Sequence, residues 1–278
     1  MIVASTADEI RKQVREWRVS GLTVALVPTM GALHEGHLSL VRTASKVADK
    51  VVVSIFVNPT QFGPNEDFDR YPRTFDADLQ QLSNLQCDAI YAPTASQMYK
   101  PGFQTSVELA HLPQHLCGLG RPVHFGGVAL VVSKLFIACE PDFAVFGEKD
   151  FQQVRVIEQM VSDLDFAVKI VRSPTVREPD GLALSSRNRY LSQEQRVAAP
   201  VLYETLVNMA KSIEAGASDP KALIEHGIKL ISAKGLEVEY LSIVDPIDLE
   251  DVELVTGPVR ILVAARLGAT RLIDNIAA

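Results

Sequence analysis

Hydrophobic positions along the first 175 residues follow two alternating rhythms. Short, β-branched runs at residues 23–27, 51–57, 88–92, 143–146 and 168–171 read as buried strands. Between them, residues 36–48, 75–85, 128–139 and 151–164 carry the three-to-four-residue apolar spacing of amphipathic helices. Strand and helix in alternation predict an α/β fold, a parallel sheet with helices on both faces. In such sheets ligands bind beyond the carboxyl ends of the strands, so the residues just after each run are where chemistry is to be sought. After Pro174 the order changes. Residues 193–214 and 220–234 read as helices, followed by strand-like runs at 237–244, 259–265 and 270–273. Helices followed by strands predict a smaller C-terminal α+β domain, with the boundary placed between residues 175 and 176.

Composition narrows the function classes. The chain has 278 residues, 47% hydrophobic and 22% charged, and a formal net charge of −7. An acidic balance argues against a long nucleic-acid partner, which needs clustered Lys and Arg, but not against a single nucleotide. No stretch approaches the ~20 apolar residues that span a bilayer. Asp8, Glu9, Arg11 and Lys12 interrupt the apolar N-terminus, which therefore does not read as a signal peptide. A cytoplasmic location is the expectation. Cys87, Cys117 and Cys139 are too widely spaced for a zinc or redox motif and read as buried, reduced thiols.

Four loops carry candidate chemistry. After the first predicted strand comes Pro28-Thr29-Met30-Gly31-Ala32-Leu33-His34-Glu35-Gly36-His37. Two histidines three residues apart share a helix face, and at a helix N-terminus they stand beside exposed N–H groups and the positive end of the dipole. Such a pair reads as a phosphate site, a helix cap or a metal pair, and its place after a strand and a glycine turn favours phosphate. The second loop, Asn58-Pro59-Thr60-Gln61-Phe62-Gly63, runs on to Arg70-Tyr71-Pro72-Arg73 and offers neutral hydrogen-bonding groups for hydroxyls and a carboxylate, or is a polar turn. The third, Gly147-Glu148-Lys149-Asp150-Phe151-Gln152-Gln153, puts a cation where phosphate would lie, or is a solvated helix cap. The fourth, Arg177 to Asn188, sets Ser185, Ser186 and Arg187 in a row that suits a polyphosphate tail or an N-capped helix start.

The His34–His37 element resembles the HxGH signature of the nucleotidyltransferase superfamily, and Ser185-Ser186-Arg187 resembles its second phosphate-binding signature. More narrowly, the blocks PTMGALHEGH, VSIFVNPTQF, RYPRT, RPVHFGGV, FGEKDFQQ, DGLALSSRN and RLIDN are similar to those of the pantothenate synthetases (pantoate–β-alanine ligases) over essentially the whole chain. The resemblance implies a Rossmann-like domain, residues 1–175, that binds nucleotide and pantoate, and a lid domain, residues 176–278. It implies ATP as a substrate, Mg²⁺, a homodimer, and the two small-molecule substrates pantoate and β-alanine. Residue by residue, it implies ATP binding by Met30, Gly31, Ala32, Leu33, His34, Glu35, Gly36 and His37, by Gly147, Glu148, Lys149 and Asp150, and by Val176, Leu184, Ser185, Ser186 and Arg187. Gln61 and Gln153 would hold pantoate, with Met30 beside them. Asn58, Tyr71 and His124 would line or support the substrate site. His37, His34, Lys149 and Arg187 would be the catalytic groups. No residue is expected as a protein metal ligand. Leu130, where the family pattern carries Thr, and Gly126, smaller than in many relatives, depart from the pattern beside the expected acyl pocket. The rival readings are a nucleotidyltransferase that stops at the adenylate and a nucleotide-binding paralogue without activity.

Overall fold

The computed structural model describes residues 1–64 and 66–278. The chain divides into two compact units: residues 1–110, 121–148 and 153–174 form the first, and residues 111–120, 149–152 and 175–278 the second. The second is therefore discontinuous in sequence, taking in two short segments that interrupt the first.

The first unit holds six strands, β1 (Ile2–Ala4), β2 (Val24–Thr29), β3 (Lys50–Ile55), β4 (Ala89–Tyr91), β5 (Phe143–Gly147) and β6 (Lys169–Ser173). They pair in the order β1-β4-β3-β2-β5-β6, every pair parallel. The helices up to β6 are α1 (Ala7–Val19), α2 (Glu35–Val47), α3 (Phe75–Ser83), α4 (Ala95–Met98), α5 (Cys117–Gly120), α6 (His124–Cys139) and α7 (Phe151–Asp163); α5 lies in the second unit. Successive strand side chains point to opposite faces, and both faces are apolar. Val24, Leu26 and Val52 pack with Ile10 and Val14 of α1, Val128 and Val132 of α6, and Val154 and Ile157 of α7. Ala25, Val27 and Val53 pack with Leu40 and Val41 of α2 and Leu82 of α3. The expected α/β sheet, covered on both faces, is what forms.

Strand order reverses at β2, with β3 on one side and β5 on the other. β2 and β5 pair only at Ala25 with Phe143 and Leu26 with Ala144, then part from each other while β2 stays paired with β3 to Thr29 and β5 with β6 to Gly147. That parting of the carboxyl ends is the switch point at which α/β sheets take ligands.

In the second unit α8 (Gln193–Ala198), α9 (Val201–Glu214) and α10 (Pro220–Ser232) precede an antiparallel sheet of β7 (Glu237–Val244), β8 (Arg260–Leu267) and β9 (Thr270–Ala277). Leu202, Leu206, Met209 and Ile231 pack on Leu241, Ile243, Ile261 and Val263. The single helix expected over 193–214 is two helices. Pro200 has no N–H to donate and its ring crowds the preceding turn, so α8 ends before it and α9 begins after it.

Four elements escape the periodicity reading: β1, α1 and the four-residue helices α4 and α5. β1 has three residues, and α1 buries only Ile10 and Val14. The signal for α1 is its capping box: Thr6 Oγ1 accepts from Glu9 N at 3.2 Å, and the Glu9 carboxylate accepts from Thr6 N. The three cysteines are buried free thiols. Burial, reinforced by the Asp88 carboxylate, pushes the Cys87 thiol up to about 12.

Candidate active site

Beyond β2 the backbone turns through two left-handed residues, Gly31 at φ 78° and Ala32 at φ 49°. For an alanine this region costs about 1–2 kcal/mol, and the buried carboxylate of Asp78, from α3, stabilises it. Ala32 N donates to Asp78 Oδ2 and Leu33 N to Oδ1, both at 2.9 Å, and Thr74 Oγ1 adds a third donor at 3.1 Å. On the other side Thr29 Oγ1 accepts from Gly31 N at 3.2 Å and donates to Ser54 O at 2.7 Å. A Cβ on Gly31 would stand 3.0 Å from Asp78 Oδ2, so the turn needs glycine on both steric and dihedral grounds. Asp78 gives no local sequence signal, because a carboxylate in the first turn of an amphipathic helix reads as a solvated cap.

The held turn delivers His34 as the N-cap of α2. His34 Nδ1 accepts from Gly36 N at 3.2 Å, and His37 Nδ1 accepts from His34 N at 3.4 Å, a reciprocal capping box built from two imidazoles. Their ring centroids are 4.1 Å apart. Because both Nδ1 atoms accept from backbone N–H groups, a neutral ring carries its proton on Nε2. The cap and phosphate readings are thus compatible: the histidines close the helix start through Nδ1 and carry an Nε2–H donor each at the positive end of the dipole. The Ala32 and Leu33 N–H groups, by contrast, are committed to Asp78.

The second loop gathers a polar cluster inside the apolar core. Asn58, 1% exposed, donates from Nδ2 to Gln61 Oε1 at 3.0 Å and to Gly127 O at 3.1 Å. Its Oδ1 accepts from Tyr99 OH at 2.8 Å, Thr60 Oγ1 at 2.9 Å and Thr60 N at 3.3 Å. Gln61 Nε2 reaches Met30 Sδ at 3.2 Å, and Gln61 O meets His124 Nδ1 at 2.9 Å. Met30, Asn58, Gln61 and His124 therefore form one connected group. Tyr71 is buried edge-on to Phe62, centroids 6.1 Å apart. Gln153 lies half-buried in the first turn of α7; its neighbour Gln152 is engaged within the second unit by Leu112 O, His115 O and Cys117 N. Leu130 is buried in α6, and a Cβ on Gly126 would come within 3.2 Å of Val107 O, which accounts for the small residue there.

The second unit orders its own candidates through β9. Arg177 forks onto Asp274, Nη1–Oδ2 at 2.6 Å and Nη2–Oδ1 at 2.9 Å, and stacks 3.8 Å above the Tyr203 ring. Glu178 N donates to Leu182 O and Leu184 N to Val176 O, closing a hairpin turned at Gly181. Ser185 Oγ then accepts from Arg187 N at 3.2 Å, and Asn188 Nδ2 donates to Ala183 O at 3.0 Å. Asn275, next to Asp274, donates to Lys149 O at 2.9 Å. Two adjacent residues of the RLIDN block so hold both the Lys149 segment and the base of the Ser185–Arg187 segment. The Lys149 ammonium stands 3.7 Å from Asp150 Oδ1. Gly147 has room for a Cβ, whose nearest neighbour would be Leu40 Cδ2 at 3.7 Å, so packing does not explain the glycine.

The sequence pattern of the pantoate–β-alanine ligases matches residues 2–277, a span that holds the strand-end turn, the histidine-capped helix and the buried amide cluster. The chain belongs to the pantoate–β-alanine ligase family. It is 52% identical to a pantothenate synthetase of Desulfatibacillum aliphaticivorans over 274 residues, covering 98% of this chain and 95% of that protein. It is equally similar, at 52% over 280 residues, to one from Rhodopseudomonas palustris, covering 99% and 98%. Among solved structures of the family, a pantothenate synthetase of Thermus thermophilus superposes with a TM-score of 0.93 at 44% identity, covering 99% of both chains. A Francisella tularensis pantoate–β-alanine ligase complexed with β-γ ATP and β-alanine superposes at 0.84 and 35% identity, covering 99% and 97%.

In this member of the ligase family, Asp78→Asn replaces one acceptor of the Ala32–Leu33 turn by a donor. It should lower the unfolding free energy in urea by about 2 kcal/mol while speeding amide exchange at Ala32 and Leu33. Asp274→Ala leaves Arg177 without its carboxylate and should cost about 3 kcal/mol, read in the same way. Glu66 is bound to Arg121 at 2.8 and 2.6 Å. Burial pushes its carboxyl upward, but the Arg121 hydrogen bonds and charge outweigh that and hold it below its ordinary 4.5. Its stabilisation is present above pH 4.5 and lost as pH falls through the lowered folded value. Glu66→Gln should therefore flatten that part of the pH–stability curve.

Proposed function

We infer that this chain is an ATP-dependent pantoate–β-alanine ligase that forms pantothenate through pantoyl-adenylate, releasing AMP and pyrophosphate. The observation that carries the reading is the imidazole capping box at the start of α2, seated at the switch point of a chain that matches this ligase family from residue 2 to residue 277. A carboxylate is a poor acyl donor because oxide cannot leave at neutral pH. A pantoate carboxylate oxygen attacks the α-phosphorus of ATP, and the bond to pyrophosphate breaks. The β-alanine amine then attacks the pantoyl carbonyl, a C–N bond forms, the C–O bond to AMP breaks, and the ammonium loses its proton.

Within this proposal His34 and His37 donate from Nε2 to the phosphates, and Lys149 and Arg187 spread the charge that grows on the leaving pyrophosphate. Gln61 and Gln153 hold pantoate, and Ser185 and Ser186 contact the nucleotide. Mg²⁺ would neutralise phosphate charge. Among the described residues no group of three or more His, Cys, Asp or Glu could hold a metal ion, and Mg²⁺ carried on a nucleotide needs no such group, because the phosphates and water supply most of its ligands. A homodimer, a cytoplasmic setting and a lid role for residues 176–278 belong to the same reading. Among the described residues no helix is long and apolar enough to cross a membrane.

The test is product release from ATP and pantoate with and without β-alanine. Pyrophosphate with pantoate alone, followed by AMP and pantothenate on adding β-alanine, is the expected result. Pyrophosphate exchange with no amide product would leave an adenylyltransferase. His37→Ala should slow the first step ~100-fold or more, as loss of one preorganised donor does. Nucleotide should protect residues 180–188 from hydrogen exchange if they close over it.

A further inference from the structure

Asn58 is saturated. It uses both Nδ2 hydrogens and gives Oδ1 three donors, all within the protein, so it has no polar atom left for a ligand. Its orientation is also not open to exchange of O and N. Nδ2 faces the Gly127 carbonyl, which only accepts, and Oδ1 faces the Thr60 N–H, which only donates. Glycine at 127 is what brings α6 close enough to offer that carbonyl, since a Cβ there would lie 2.3 Å from Thr60 O. Tyr99 seals the arrangement from the other side. Burial holds its phenol above the ordinary value, against the opposing hydrogen bond with Thr60, so it stays protonated and donates to Oδ1.

The orientation passes to Gln61. Because Asn58 presents N–H, the Gln61 atom beside it is the carbonyl oxygen, and Nε2 is turned the other way. Gln61 is 8% exposed, and its Nε2 donates to the Met30 thioether at 3.2 Å. A thioether is among the weakest acceptors in proteins. The main chain of the same residue is held separately, its carbonyl meeting His124 Nδ1 at 2.9 Å and Arg121 Nη2 at 3.5 Å. The result is a buried amide fixed at both ends, with its donor side alone left for stronger use.

We propose that Asn58 is a positioning residue that sets the polarity of the Gln61 amide, making Gln61 an obligate hydrogen-bond donor to an oxygen of the acid substrate. This rests on the placing of Gln61 at pantoate and deepens it. The backbone of Thr60 and Gly127 sets Asn58, Asn58 sets Gln61, and Gln61 selects for an oxygen lone pair. A site so built discriminates against a ligand that brings a donor to that point, because two N–H groups would then meet.

The experiment is pantoate and ATP affinity measured by calorimetry for wild type, Gln61→Ala, Gln61→Glu and Asn58→Asp, each with its thermal midpoint. Asn58→Asp keeps the Oδ1 contacts but turns an acceptor towards Gln61, so the Gln61 amide reverses and offers its carbonyl to the substrate. Gln61→Glu keeps the bond from Asn58 and replaces the outward donor by an acceptor without disturbing Asn58, so it serves even if Asn58→Asp does not fold. Both should weaken pantoate tenfold or more with ATP affinity changed less than threefold, a split that general loss of structure would not produce. Wild-type pantoate affinity in Gln61→Ala would overturn the placing of Gln61 and this inference with it. If Gln61→Ala is weak but Gln61→Glu or a folded Asn58→Asp binds pantoate as wild type does, the placing stands and the polarity lock is overturned.

Discussion

The first N–H groups of an α-helix have no intrahelical acceptor, and the start of α2 shows how much can depend on supplying them. Here the acceptors are imidazole Nδ1 atoms, and they reach their places only because the chain ahead of them turns left-handed at Gly31 and Ala32. That turn is held by Asp78, which takes two successive backbone N–H groups on one carboxylate. An internal anion thus shapes the approach to the candidate site for external anions. It withdraws two amides from the ligand and uses them to fix the histidines. What the helix start then offers is what a phosphate needs, imidazole N–H donors at the positive end of a dipole.

The same constraint governs the amide cluster under β3. Polar side chains inside an apolar core are costly unless their hydrogen bonds are complete. Asn58 completes its own, and in doing so commits the carbonyl of Gln61 and leaves its N–H₂ outward. In the second unit β9 plays the corresponding part, with Asp274 gripping Arg177 and Asn275 gripping the Lys149 carbonyl. The candidate functional segments therefore stand on neighbours that hold them in place.

The alternation of apolar runs was enough to read the α/β sheet with both faces covered and a smaller α+β region after it. Short β-branched runs without polar alternation declare buried parallel strands. The histidine pair and Lys149 stood out as candidates because they come just past predicted strands, and the Ser185–Arg187 row because two hydroxyls and a guanidinium stand together. β1 is apolar but too short, at three residues, to show a period, α1 is a mostly charged helix with a sparse apolar face, and Pro200 divided a helix that periodicity alone ran together.

What the tertiary structure decided is orientation. That both histidines accept through Nδ1, that Ala32 and Leu33 give their amides to a residue 45 positions or more away, and that Gln61 offers a donor rather than an acceptor were not legible in the sequence. Asp78 and Gly127 carry no mark in their own segments, because their roles exist only once α3 and α6 are packed against the loops that follow β2 and β3. Residue type and spacing state which chemistry is available. Which atom of each side chain faces the reaction is set by hydrogen bonds made in the packed structure, which a local pattern cannot encode.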